Sequence, residues 1–228
     1  MSKLMVALAL LLPMAPPQER TFKVGGTLKF DGEVPKGKPN KAVMADAACA
    51  AHHPEAPPKD DLVIDASGGV RWAFVYIKKG LEGKKFDPPA EAVVIDQVGC
   101  TYAPHMAGVM VGQKVTFRNS DPMAHNVHGL PFTNKEFNFS QIKGVATDVK
   151  FGAQEVPVKV KCDIHPWMGT WIGVVDHPFF AVTDAAGKFE IKNLPPGNYV
   201  IGVWHEKRQT ADQNITVQEN LQTNFMLK

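Results

Sequence analysis

The feature that most constrains this chain is a succession of short β-branched and aromatic runs, each closed by Gly, Pro, Asn or Asp. From Ala92 onward they fall at Val93–Ile95, Met106–Val111, Lys114–Arg118, His125–Leu130, Thr147–Phe151, Glu155–Cys162 and Gly169–Val175. No stretch of useful length carries apolar residues at a 3.6-residue period, and no repeat of constant period stands out. Strands at this spacing without a helix predict an all-β sandwich or barrel. The 19 Gly and 18 Pro among 228 residues supply the turns. Pro157 lacks an amide to give to a ladder, which predicts an edge position or a bulge. Pro131 to Gly144, with Phe137 and Phe139 inside it, reads as a longer polar loop.

The flanks have a different texture. Residues 21–34 alternate well enough for one or two strands around a Gly hinge. Residues 35–60 are rich in Pro, Ala and Lys and read as strand fragments and an irregular loop. Leu62 to Asp65 reads as a strand into a turn, and Val70 to Ile77 is the best strand of this half. Lys78 to Pro89 reads as a surface crossing and a domain boundary. Near the end, Phe180–Asp184, Gly187–Ile191, Tyr199–Trp204, Asn214–Val217 and Thr223–Leu227 are predicted strands.

The chemistry gathers in Cys162-Asp163-Ile164-His165-Pro166-Trp167-Met168, where a thiol, an imidazole and a thioether stand at i, i+3 and i+6. Upstream, Met123-Ala124-His125-Asn126-Val127-His128 offers a second imidazole. Strand alternation sends His125 and His128 to opposite faces, so only one of them reaches a common ion. Two imidazoles and a thiolate with a weak thioether form the donor set of a mononuclear copper electron-transfer centre. A Cys-x-x-His pair alone is more often a buried thiol beside an incidental imidazole; the spaced Met and the upstream His are what shift the reading. Zinc fits less well, because Met is a poor ligand for it and a zinc site would be expected to add a second Cys or an acidic ligand.

On these two motifs the chain resembles the blue-copper cupredoxins, most of all the amicyanins. Gly112-Gln113-Lys114-Val115-Thr116-Phe117-Arg118-Asn119 is similar to the strand that leads into their first ligand. The resemblance covers roughly residues 92–176 and departs from the family in the Pro131–Gly144 loop. It implies a Greek-key sandwich or barrel with one type 1 copper ion held by His125, Cys162, His165 and Met168. It also implies that Asn126 ties the two ligand loops together with its backbone facing the thiolate. His165 would then turn its ring edge toward solvent beside Pro166 and Trp167, where an apolar collar suits brief docking of a redox partner. Trp167 reads equally well as core.

A second resemblance spans the flanks. Gly26-Thr27-Leu28-Lys29-Phe30-Asp31-Gly32 and the run Thr183-Asp184-x-x-Gly187-x-Phe189-x-Ile191-x-x-Leu194-Pro195-x-Gly197-x-Tyr199 are similar to the opening and closing strands of a carboxypeptidase regulatory-like (transthyretin-like) β-sandwich. The organisation it implies is a cupredoxin domain, 91–178, inserted into or adjoining a second small sandwich made of 21–90 and 179–228.

Ser2-Lys3, an apolar run from Leu4 to Leu12 and Pro13-Met14-Ala15 match a signal peptide over 1–15, and the run is too short for a stable membrane span. A periplasmic or secreted address follows. Three Cys in an oxidising compartment leave one thiol over; if Cys162 is that one because it holds a metal, Cys49 and Cys100 are the natural disulfide pair. A second metal site built from Cys49, His52, His53, Cys100, His105 or His205 lacks the tight spacing such sites show. A net charge of +2, with no basic cluster, excludes nucleic acid as a partner. No Ser–His–Asp ordering, phosphate loop or spaced carboxylate pair has a supporting context. The expectation is therefore a non-enzymatic, exported copper protein passing single electrons to a redox partner such as a c-type cytochrome or a copper or quinone enzyme. Its rivals are a copper carrier, and a binding module whose flanking sandwich attaches to a cell-surface partner or glycan.

Overall fold

The structure, a computed structural model, describes residues 20–208 and 212–228; the expected leader at 1–15 lies outside them. The described residues are all-β apart from a 3₁₀ turn at Lys41–Ala45 and a single helical turn at Ala47–Ala50. The strands are β1 (Phe22–Phe30), β2 (Phe74–Lys79), β3 (Val93–Val98), β4 (Thr101–Ala103), β5 (Met106–Met110) and β6 (Lys114–Asn119). They continue with β7 (His125–Leu130), β8 (Phe137–Gln141), β9 (Ala146–Lys150), β10 (Glu155–Lys161) and β11 (Gly169–Val175). The chain ends with β12 (Phe180–Val182), β13 (Lys188–Leu194), β14 (Gly197–Trp204), β15 (Gln213–Val217), β16 (Leu221–Gln222) and β17 (Phe225–Leu227). Among the described residues no helix is long and apolar enough to cross a membrane.

Four sheets result. One runs β4-β3-β6-β9 and a second β5-β11-β10-β7-β8, so residues 93–175 pair only among themselves. The other two mix the beginning and end of the chain: β1 pairs with β13, β16 and β17, and β2 lies between β12 and β14, with β15 beyond. Each pair of sheets encloses its own core. Ile95, Val109, Phe117, Val127, Val160 and Ile172 are fully buried in the central one, and Val24, Leu28, Val75, Leu194, Ile201 and Leu227 in the flanking one.

The two cores meet at Phe74, Met106 and Val175. The Phe74 ring from β2 lies against backbone of β5 and β11. A Cβ added at Gly108 or Gly173 would come within 2.6 or 2.5 Å of that ring, so the seam closes only because both positions lack side chains.

Several local expectations change. The segment expected as a polar loop contains strand β8, which pairs with β7. Phe137 and Phe139 alternate with polar residues, and their rings pack on Phe117; Phe137 also occupies the space where a Cβ of Gly129 would stand. Pro157 does mark a bulge, but on an interior strand: the β10–β11 register shifts between Glu155 and Val158 while β10 lies between β11 and β7. The strand expected from Val70 begins only at Phe74, because Trp72 stands in the left-handed region at φ 68°. Residues 35–60 hold the two short helical turns, with no named strand.

Candidate metal centre

His125 opens β7 and points into the central core, fully buried. His128, three residues on, faces the other way and pairs with Asp163 and Glu136. The second group of residues lies on the turn between β10 and β11. There the Cys162 amide donates to Met168 O at 3.2 Å and the Met168 amide to His165 O at 2.9 Å, which folds Cys162, His165 and Met168 into one tight loop.

These elements bring His125, Cys162 and His165 together, with one donor atom from each lying within 4.8 Å of the others. The two Nδ1 atoms are 2.9 Å apart, and Cys162 Sγ is 3.8 Å from His165 Nδ1. Met168 is buried in the same core, 2 % exposed.

The surroundings prepare the donors. His125 Nε2 donates to Asp121 Oδ2 at 2.8 Å, so Nδ1 is the nitrogen left facing the cluster. Burial works against a charge on His125, but Asp121 and Cys162 outweigh it and carry its pKa up to about 9. Burial likewise pushes the Cys162 thiol up. Contact with His125 and the amides of Asn126, His165 and Ile164 more than reverse that, leaving it below its ordinary value. The Asn126 and His165 amides each reach Sγ at 3.4 Å. For His165, burial and then the charge of His125 hold the pKa down.

Asn126 links the two ligand segments. Its amide points at the thiol, and its side-chain oxygen accepts from the Asp163 amide at 3.1 Å. Tyr102 braces the same place, donating to Asn126 O at 2.5 Å. Asp121 and Tyr102 carried no signal in the sequence. Asp121-Pro122 reads as a turn former, and Tyr102 sits in β4, a strand too short to detect.

The expected exposure of His165 is not found. The residue is 4 % exposed, because the segment carrying the helical turn lies over it. Asp46 Oδ2 stands 3.8 Å from His165 Nε2. Trp167 stacks obliquely against His165 and donates from Nε1 to Cys100 O at 3.2 Å, so it is held within the structure rather than free as a collar.

Cys49 and Cys100 form a disulfide, and Cys162 is the free cysteine. Cys100 follows Gly99 in the β3–β4 hairpin with φ 53° after 62°, the pair of left-handed residues that a two-residue hairpin turn demands. Two further groupings of metal-ligating residues, Asp46–Cys49–His165 and Cys100–Asp121–His125, depend on sulfurs committed to this bond. The other candidates do not assemble among the described residues: His53 Nε2 donates to Gly99 O, His105 pairs with Glu206, His205 is buried with Nδ1 accepting the Lys207 amide, and His52 is exposed.

No protein-family model matches the chain, and no curated protein does. Among solved structures, a purple cupredoxin from Nitrosopumilus maritimus aligns at 24% identity and TM-score 0.32, over 36% of this chain and 98% of that one. An amicyanin variant in its reduced state aligns at 25% identity and TM-score 0.34, over 44% of this chain and 97% of its own. A Cu-containing nitrite reductase from Thermus scotoductus SA-01 aligns at 21% identity and TM-score 0.36, over 43% of this chain, which spans only 25% of that enzyme's length.

Proposed function

We propose that this chain is a copper-binding electron-transfer protein, with one ion held by His125, Cys162 and His165 and with Met168 as the weak fourth donor. The observation that carries the reading is the convergence of two imidazole nitrogens and a thiol within 4.8 Å in a buried position. The donor types fit: soft sulfur beside imidazole is a copper set. Bound there, copper supplies a one-electron couple. The protein's own part is to keep the donors in place. Asn126 and His165 amides stabilise the thiolate, Asp121 fixes the His125 ring, and the loop's internal hydrogen bonds hold Cys162 and His165 on a rigid turn. Burial keeps water away from all of them.

The organisation we propose is a copper unit, 91–178, set into a carboxypeptidase regulatory-like sandwich of 21–90 and 179–228. It is supported by β1 and β2 pairing only with strands beyond residue 179. An exported, periplasmic or secreted protein accords with the leader-like start and the disulfide. The partner would be a redox protein, a c-type cytochrome or a copper or quinone enzyme, and the chain itself a carrier rather than a catalyst.

Copper-loaded protein should show an intense visible thiolate-to-copper absorption that disappears on reduction, and Cys162→Ser should abolish it. A variant that kept the band would refute the assignment. One observation favours a second reading, copper carriage without electron exchange: the covering of His165 removes the ligand edge through which a partner would be met. Stopped-flow oxidation of the reduced protein by a c-type cytochrome separates the two, since a pure carrier would not react on the timescale of seconds.

A further inference from the structure

The outer nitrogens of both ligand-candidate histidines face carboxylates, and both carboxylates are held by the same crosslink. On one side, Asp121 Oδ2 accepts from His125 Nε2 at 2.8 Å, and the Asp121 carboxylate also receives the amides of Gly99 at 2.7 Å and Cys100 at 2.8 Å. On the other, Asp46 Oδ2 lies 3.8 Å from His165 Nε2, while Asp46 Oδ1 accepts the Cys49 amide at 3.0 Å. Cys49 and Cys100 are bonded to each other. Each half of the disulfide therefore orients one carboxylate, and each carboxylate addresses one imidazole.

Resting on the copper reading above, we propose that Asp46, Asp121 and the Cys49–Cys100 crosslink act together to bias this centre toward the more highly charged oxidation state of its copper. An anion at the outer nitrogen of a ligating imidazole makes the ring a stronger donor, and its charge favours a doubly over a singly charged ion. The two residues do not contribute equally. Asp121 is 2 % exposed and makes a direct hydrogen bond, so its field is little screened. The Asp46 side chain is 40 % exposed and its contact is longer, so solvent and salt weaken it. Both are positioning residues; neither is a metal ligand in this arrangement.

The experiment uses the full chain loaded with copper, in which Asp121→Asn and Asp46→Asn are compared with wild type by spectroelectrochemical titration. Asparagine keeps an oxygen for the Nε2–H and removes the charge, so the visible band should persist while the balance of oxidation states moves. For Asp121→Asn, affinity for Cu(I) relative to Cu(II) should rise tenfold or more, equivalent to about 59 mV upward for a one-electron couple. Asp46→Asn should move it the same way by less, and its effect should shrink at high salt. Should Asp121→Asn fail to fold, Asp46→Asn still tests the sign and the salt dependence. Variants that keep the band with ratios within twofold of wild type would overturn the proposal while leaving the copper reading intact. Wild-type protein without the band would remove both.

Discussion

Removing the Cys49–Cys100 disulfide by Cys49→Ala with Cys100→Ala tests how the segment over His165 is held. Between residues 35 and 60 only Val43 and Cys49 are buried, so this segment has little apolar surface with which to dock. Its other ties to the body are few, chiefly His53 Nε2 to Gly99 O and the Asp46 contact with His165. The crosslinked residues are 51 apart in sequence. Freeing a loop of that length in the unfolded chain costs about 4 kcal/mol of stability in the chain-entropy account. Alanine is preferred to serine because it leaves no buried hydroxyl beside the metal site. Urea unfolding of metal-free wild type and double variant, read by tryptophan fluorescence, should give a difference of that size. Hydrogen exchange should show the amides at positions 49 and 100 losing protection along with the segment. A stability change below about 1 kcal/mol would refute the chain-entropy reasoning, and retained amide protection would show that contacts other than the crosslink hold the segment.

At the seam between the cores, Phe74→Ala should cost about 3–5 kcal/mol by leaving a cavity, whereas Gly173→Ala should cost about 1–3 kcal/mol by forcing a methyl into the ring. Denaturation midpoints of the two variants check both, and a silent Gly173→Ala would show that the seam is loose. Burial pushes His205 down to about 4 from an ordinary 6.5. The unfolded chain therefore takes up the proton first on acidification, and stability that is complete above pH 6.5 declines between 6.5 and 4, by on the order of 3 kcal/mol at most. Urea unfolding at pH 7.5 and 4.5 should give a shallower acid loss for His205→Gln than for wild type; equal losses would place the acid sensitivity elsewhere.

Much of this architecture was legible in the residues alone. Local composition decides strands, and the β-branched runs bounded by turn formers located most of them. The exceptions have local causes. The pattern of β8 was masked by the polar residues that alternate with Phe137 and Phe139, and β4 is only three residues long. Val70 to Ile77 looked like one strand, but the left-handed backbone at Trp72 delays its start. Chemical type and spacing likewise singled out Cys162, His165 and Met168, because ligands on one turn must be close in sequence.

What the sequence by itself determined was therefore the all-β class and the donor types of the candidate centre. The resemblance already pointed to His125 rather than His128; only tertiary structure decided that Asp121 stands behind His125 and that Asp46 covers His165. The physical reason is distance along the chain. Asp121 and His125 are near neighbours, but their hydrogen bond exists only because the Gly99–Cys100 hairpin turns its amides onto the same carboxylate. Asp46 reaches His165 across more than a hundred residues because a disulfide anchors its helical turn to that hairpin. Such contacts have no period and no local propensity, so they become visible only when the sheets bring the segments together.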